Sequence, residues 1–358
     1  MNKKLLAVAV AAALAAPLAA NADSGNVSVY GSMHVSVDSL DNGTQRNWNA
    51  SSNSSYIGFK GAEDLGNGLK AVWQLENQVN LNGTSATGAN AFSSRNSFLG
   101  LAGGFGTAVV GTHDTPVKIL GRKADLFGDQ IGDSRNLISV GGAGWDLRPA
   151  NVVAYISPTF GGVHGAIAYV TNVGTGVTTD SNCGDTNCVD AWSGLVIYEG
   201  GPLMVGAGYE KHNLSKVANT GNDEKAWRVV GGYSFGDAKV TALYQKLNDI
   251  GGSSDGRKTW GIGAGYKIGA TTIKAQYYNA GDVDNTSNTG ANMWALGADY
   301  AMSKRTTAYV AYAKTSNDDA ANFSASGGGH GDNVGAALDG NGNRLDSTGL
   351  SLGLKHSF

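Results

Sequence analysis

The sequence predicts an all-β fold, a closed antiparallel β-barrel that crosses a membrane on about sixteen strands. Three observations carry that expectation: 54 glycines but only 5 prolines in 358 residues, apolar and polar residues that alternate with a period of two, and long polar connections that alternate with tight turns. Glycine at this level argues against helices, since each interior glycine costs a helix about 1 kcal/mol relative to alanine. No G-X-Y period suggests collagen. Beyond the first residues there is no continuous apolar run, and mean hydropathy is −0.18, so only strands could do the crossing.

Residues 1–22 read as a secretory leader: Lys3 and Lys4, an apolar run from Leu5 to Ala20, and a small-x-small site at Ala20-Asn21-Ala22. The run is too short for a retained helix, which needs about 20 apolar residues. The barrel domain is then expected over 23–358. Losing Lys3 and Lys4 takes the formal net charge from −3 to −5, which argues against a nucleic-acid partner.

The first strand places Val27, Val29, Met33, Val35 and Val37 on one face and Ser28, Tyr30, Ser32, His34, Ser36 and Asp38 on the other. One face suits lipid and the other water. The last strand repeats this, with Leu350, Leu352, Leu354, His356 and Phe358 opposite Gly349, Ser351, Gly353, Lys355 and Ser357. Residues 227–235, 260–268 and 272–278 follow the same rule, with aromatics near the ends of the runs, where interfacial girdles lie. A soluble sandwich also alternates, so the connections decide.

Tight turns at 64–68 (DLGNG), 103–106 (GGFG), 159–162 (TFGG), 236–237 (GD) and 303–305 (SKR) alternate with long polar loops near 39–52, 81–92, 114–147, 172–189, 213–224, 248–257, 280–290 and 316–345. Eight long loops and seven turns join sixteen strands. That asymmetry is the one expected of periplasmic turns and external loops. A barrel of about this size leaves an aqueous channel, whereas one of about eight strands is filled by side chains.

Cys183 and Cys188 flank GDTN in a polar stretch, a spacing that in an oxidising compartment favours a small loop-closing disulfide over free thiols. No histidine lies close enough in sequence to suggest metal, and no cofactor or catalytic residue is expected.

The stretches 57–71 (IGFKGAEDLGNGLKA), 95–101 (RNSFLGL), 151–162 (NVVAYISPTFGG), 303–306 (SKRT) and 353–358 (GLKHSF) together resemble the general porins of Gram-negative bacteria, in particular the branch of Neisseria and other β-proteobacteria. The order and spacing of these stretches, which span the chain, carry the resemblance more than any one motif. It implies a homotrimer of sixteen-stranded barrels in the outer membrane, surrounded by lipid and lipopolysaccharide. Ions and small hydrophilic solutes would pass through each pore. It also implies an inward-folded third external loop, a subunit contact from loop 81–92, and a terminal Phe358 read by the barrel-assembly machinery.

Loop 114–147 would then form the constriction. It carries Asp114, Asp125, Asp129 and Asp133 with Lys118, Arg122, Lys123 and Arg135. The family pattern places basic wall residues at Arg95 and Arg148, and Lys60 falls in the lumen phase of its strand. Tyr56 stands where many relatives carry Arg. Asp125, Asp129 and Asp133 are the expected acidic side of a transverse field facing Lys60, Arg95 and Arg148. Rival readings remain: a channel specific for sugar or anion, a barrel enzyme, and a plugged adhesive barrel. Against the enzyme, the six histidines are scattered and no Gly-x-Ser-x-Gly motif accompanies them.

Overall fold

Alternation dictates which face each strand buries, and the fold obeys it inside out. The structure is a computed structural model and describes residues 27–83, 94–141, 144–173, 189–216 and 221–358. The leader, Cys183, Cys188 and most of loop 81–92 lie outside these residues. In β1 (Ser28–Asp41) the valines at 35 and 37 are exposed, while Ser36 and Asp38 are buried. In β17 (Ser347–Ser357), likewise, Leu350, Leu352 and Leu354 point outward and Ser351 is fully buried. Apolar residues face lipid and polar residues face the interior.

Between them run β2 (Arg46–Ser52), β3 (Tyr56–Gly66), β4 (Leu69–Gln78), β5 (Ser97–Gly103), β6 (Gly106–Thr112), β7 (Val152–Ile156), β8 (Val163–Val170) and β9 (Ala191–Gly200). The second half of the wall comprises β10 (Leu203–His212), β11 (Glu224–Phe235), β12 (Ala238–Asn248), β13 (Arg257–Ile268), β14 (Thr271–Ala280), β15 (Ala291–Ala301) and β16 (Thr306–Asn317). Apart from β2 and β3, which both pair with β1, each pairs antiparallel with its neighbours in sequence, and β1 pairs with β17 from Ser32↔Ser357 to Asp41↔Thr348. The sheet therefore closes and leaves no unpaired edge.

Of the seventeen segments, β2 and β3 are one wall strand: β1 pairs with β2 over Val35–Asp41 and with β3 over Ser28–Ser32. The break between them, Asn53 to Ser55, includes Ser54 at φ 51°. The wall thus has sixteen strands, as the loop pattern predicts. At the closing seam Gly31 exchanges both backbone hydrogen bonds with Phe358 at 3.1 Å. A Cβ at Gly31 would lie 2.6 Å from the Phe358 ring and 2.6 Å from the Tyr56 carbonyl.

Two connections differ from expectation. The segment 39–52 is not a loop but a tight hairpin, because Asn42 Oδ1 accepts from the backbone N–H of Thr44 and Gln45 while Gly43 takes φ 97°. An Asn-Gly pair supplies the left-handed conformation such a turn needs. The segment 316–345 does not lie on the outer surface throughout. Ala321, Phe323 and Ala325 are buried, and Ala325 packs with Leu40, Phe127 and Ile131 inside the barrel. The interior core is therefore made by loops packed on the wall.

Candidate functional site

The connection from β6 to β7 enters the barrel as a short helix, α1 (Pro116–Arg122), followed by an irregular run and one turn of helix, α2 (Arg135–Ile138). Thr115 caps α1 by accepting from Lys118 N–H, and Pro116 takes the first position, where its missing N–H costs nothing. Leu120, fully buried, sits over Gly206 and Gly208 of β10, where a Cβ would collide with it. These two glycines make room for the loop.

From there the loop is bonded to the inner wall strand by strand. Ser193 of β9 accepts from Val117 N–H at 3.2 Å, Thr241 of β12 donates to the Ala124 carbonyl at 2.7 Å, and Gln276 of β14 donates to the Gly132 carbonyl at 2.6 Å. Lys274 donates to the Leu126 carbonyl at 2.9 Å, and Gln245 to that of Ile138 at 2.7 Å. Irregular backbone at membrane depth is tolerated only where such partners satisfy it. On the returning leg Arg228 of β11, fully buried, grips Asp146 with two bonds of 2.6 and 3.0 Å and donates to the Val117 carbonyl at 2.9 Å. The Asn136 side chain and Gly328 meet where the folded-in segment 318–346 reaches the loop, and Gly132 N–H donates to the Ala325 carbonyl at 2.7 Å.

A second cluster lies where the loop begins. There Lys60 lies 4.9 Å from the centre of the Tyr30 ring, and Tyr30 donates to Glu76 at 2.9 Å. The Arg95 guanidinium covers the Tyr56 ring at 4.7 Å and comes within 3.6 Å of Glu76. Arg148 bonds Asn96 at 3.0 Å and pairs with Asp114 at 2.8 Å, and Asp114 also pairs with Lys118 at 2.8 Å. Burial opposes ionisation of Asp114, but Lys118 and Arg148 outweigh it and hold the carboxyl well below its usual range. Lys60, Arg95 and Arg148 are thus gathered with Tyr30, Tyr56, Glu76 and Asp114 beside the start of the loop, on β1, β3 and β4 and the connections next to them.

The three loop acids are held differently. Asp125 accepts from Phe127 N–H at 2.9 Å and from Gln276 at 3.0 Å, both inside the loop's seat. Asp129 pairs with Arg122 and Arg135, each at 2.8 Å, and Asp133 pairs with Arg135 at 2.6 Å and Arg122 at 3.4 Å. The Asp133 side chain is 0% exposed, whereas that of Arg122 is 33% exposed. Burial is costly for the Asp129 carboxylate, yet the two guanidiniums hold it low; burial pushes Asp133 up to about 7. Two acids sharing two cations titrate as a unit and separate in this way. Arg122 is the most exposed of the four, Asp133 is fully buried behind it, and Arg135 and Asp129 are both largely buried.

Sequence reasoning passed over Arg228, Glu76 and the roles of Arg122 and Arg135. Arg228 had a signal, a charge in the inward phase between the outward Trp227 and Val229. Glu76 had the same signal, following the outward Leu75 on β4, whereas Arg122 and Arg135 had none, since their orientation depends on distant contacts. Among the described residues no group of three or more His, Cys, Asp or Glu side chains is placed to hold a metal ion.

Residues 7–320 match the family model for Gram-negative porins. The major outer membrane protein P.IB of Neisseria meningitidis serogroup B is 33% identical over 253 residues, which cover 65% of this chain and 66% of that protein. The match thus spans about two thirds of that relative's length. In three dimensions the chain resembles the anion-selective porin from Comamonas acidovorans, with a TM-score of 0.77 and 26% identity over 94% of this chain and 100% of that one. It shares its fold with OmpT of Vibrio cholerae in its trimer form, at a TM-score of 0.68 and 17% identity over 94% of this chain and 100% of that one. Family and fold alike point to a channel, and the chain belongs to the Gram-negative porin family of outer-membrane β-barrels.

Proposed function

We propose that this chain forms a general diffusion pore through which ions and small hydrophilic solutes pass passively, and that its constriction favours anions. The observation that carries this is the pairing of a closed sixteen-stranded wall with a loop bonded along the inside of β9 to β14, and we read the gap it leaves as bordered by Lys60, Arg95 and Arg148. Width and charge then do the filtering, and no bond is made or broken.

The sign follows from the local pairs. Asp129 and Asp133 are spent on Arg122 and Arg135, and Asp114 is shared by Lys118 and Arg148. Lys60 and Lys355 have no carboxylate within 4 Å among the described residues. An excess of positive charge therefore lines the gap despite the acidic total, and the acids Asp125, Asp129 and Asp133 act by fixing the loop and its arginines. The likeness to a porin described as anion-selective points the same way.

Residues 1–22 are proposed to be removed on export, the pore to work as a homotrimer, and Phe358 to serve both the closing seam and recognition during assembly. Planar-bilayer recordings in asymmetric KCl test the central reading. Conductance steps closing in threes with a reversal potential toward the chloride equilibrium value are expected. Replacing Arg95 and Arg148 by Ser is expected to move the reversal potential toward the potassium value. An unchanged potential in that variant would refute the assignment of these two arginines.

A further inference from the structure

We propose that Tyr30 is a positioning residue that tunes the pore's ion preference without carrying charge. It lies between Lys60 and Glu76 and keeps the ammonium clear of the carboxylate that would neutralise it. This deepens the diffusion-pore reading and rests on it only in taking Lys60 to border the passage.

The register puts the pieces in one row. Tyr30 of β1 stands opposite Gly58 of β3, and Gly58 stands opposite Glu76 of β4. Because Gly58 has no side chain, the Tyr30 ring crosses β3 above it; a Cβ there would meet the ring at 2.5 Å. The hydroxyl thereby reaches the next strand but one and donates to Glu76 Oε1 at 2.9 Å.

Lys60 follows Gly58 by two residues, on the same face and diagonal to Glu76 across the β3–β4 pair. Diagonal neighbours lie about 7–8 Å apart, within reach of long side chains, so a lysine and a glutamate in that relation can pair. Here they do not. The ammonium lies 4.9 Å from the centre of the Tyr30 ring, and no carboxylate comes within 4 Å of it among the described residues. The face of the ring holds the cation while the hydroxyl occupies the anion.

The ring is itself braced. Tyr56 meets it edge to face, with centroids 6.2 Å apart and planes at 72°, and carries the Arg95 guanidinium at 4.7 Å. Arg95 approaches the other Glu76 oxygen at 3.6 Å, and the Glu76 side chain is only 11% exposed. Glu76 thus has a hydroxyl on one oxygen and a guanidinium near the other, which leaves the Lys60 charge uncompensated. An uncompensated fixed charge on the lumen wall adds to the field that a passing ion meets.

The test is the reversal potential of the full protein in planar bilayers under asymmetric KCl. Tyr30→Leu is expected to release Glu76 onto Lys60 and lower the chloride-to-potassium permeability ratio about two- to fivefold, the factor by which a half-exposed cation–π contact holds its cation. In the Glu76→Gln background the same substitution is expected to leave the ratio unchanged, because the neutralising carboxylate is gone. Simple loss of packing would shift both backgrounds alike. Gly58→Ala keeps every charge and both tyrosines, displaces the ring from beneath, and is expected to move the ratio in the same direction as Tyr30→Leu. Equal shifts in the two backgrounds, or a native ratio in either Tyr30→Leu or Gly58→Ala, overturn the proposal. Heat-modified gel mobility establishes that each variant is folded; should Tyr30→Leu not fold, Gly58→Ala with and without Glu76→Gln makes the same comparison. A native pore that prefers potassium would refute the anion reading instead, and Tyr30→Leu is then still expected to raise the potassium preference.

Discussion

Releasing the constriction loop at its returning leg separates a fixed filter from a mobile one. Arg228→Met removes the buried guanidinium that holds Asp146 with bonds of 2.6 and 3.0 Å and the Val117 carbonyl at 2.9 Å. Asp146 is then left buried without its partner, a change that costs about 3–5 kcal/mol. At about 1.4 kcal/mol per power of ten, the ratio of docked to undocked loop falls by roughly two to three and a half powers of ten. Removing the acid as well, in Arg228→Met/Asp146→Leu, takes away the stranded charge and is expected to recover most of the loss, because apolar replacement of a whole buried pair is often neutral. Open-channel current noise in planar bilayers and the unfolding temperature in detergent measure the two consequences. The single variant is expected to be noisier and less stable than either the native protein or the double variant. Equal destabilisation by the single and double variants, or native noise in Arg228→Met, would refute the reasoning.

Acidification tests the shared carboxylates. Asp133 is pushed up to about 7 by burial, so it is mostly protonated below that pH and mostly charged above it. Lowering pH from about 8 to about 6 leaves Arg122 and Arg135 with one charged acid between them. Anion preference is expected to rise over that interval, and Asp133→Asn to flatten the profile; a native profile in the variant would refute it. Because the folded value lies above the ordinary carboxylate value, the same group favours the docked loop at low pH and progressively less as pH climbs from about 4 toward 7. At the seam, Gly31→Val is expected to lower the yield of folded barrel, since its Cβ meets both the Phe358 ring and the Tyr56 carbonyl; heat-modified mobility reads this. Gly329→Ala places a methyl onto Arg135 and Asp129 at φ 107°, and is expected to shift single-channel conductance without lowering the unfolding temperature by more than a few degrees.

Much of the wall was legible because a strand's side-chain period is two. Val35 and Val37 against Ser36 and Asp38 fix a face without any tertiary knowledge. Strand number followed from connection lengths even though the first long loop proved to be a hairpin. Its Asn42-Gly43 pair was a readable turn signal, outweighed by the polar residues around it. The folding-in of 318–346 was less readable, since Ala321, Phe323 and Ala325 stand among glycines and serines. At the constriction, Lys60 could be phased from its strand, but which loop carboxylates see water could not. Asp129 and Asp133 are placed by Arg122 and Arg135, and the loop that carries all four is seated by contacts of Ala124 and Ile138 with strands more than a hundred residues away. Local pattern does not encode such contacts.

The seam between β1 and β17 also sets a timetable. Ser32 meets Ser357 only after 324 intervening positions have been brought around the circle. Every other strand pair is a neighbour in sequence and could zip as soon as its hairpin exists. The final pairing is therefore the one contact whose loop-closure entropy spans nearly the whole polypeptide. Until it forms, the half-made sheet offers two bare edges to any passing strand. Folding speed and vulnerability to misassembly are thus concentrated in a single late event, and Gly31 stands where that event takes place.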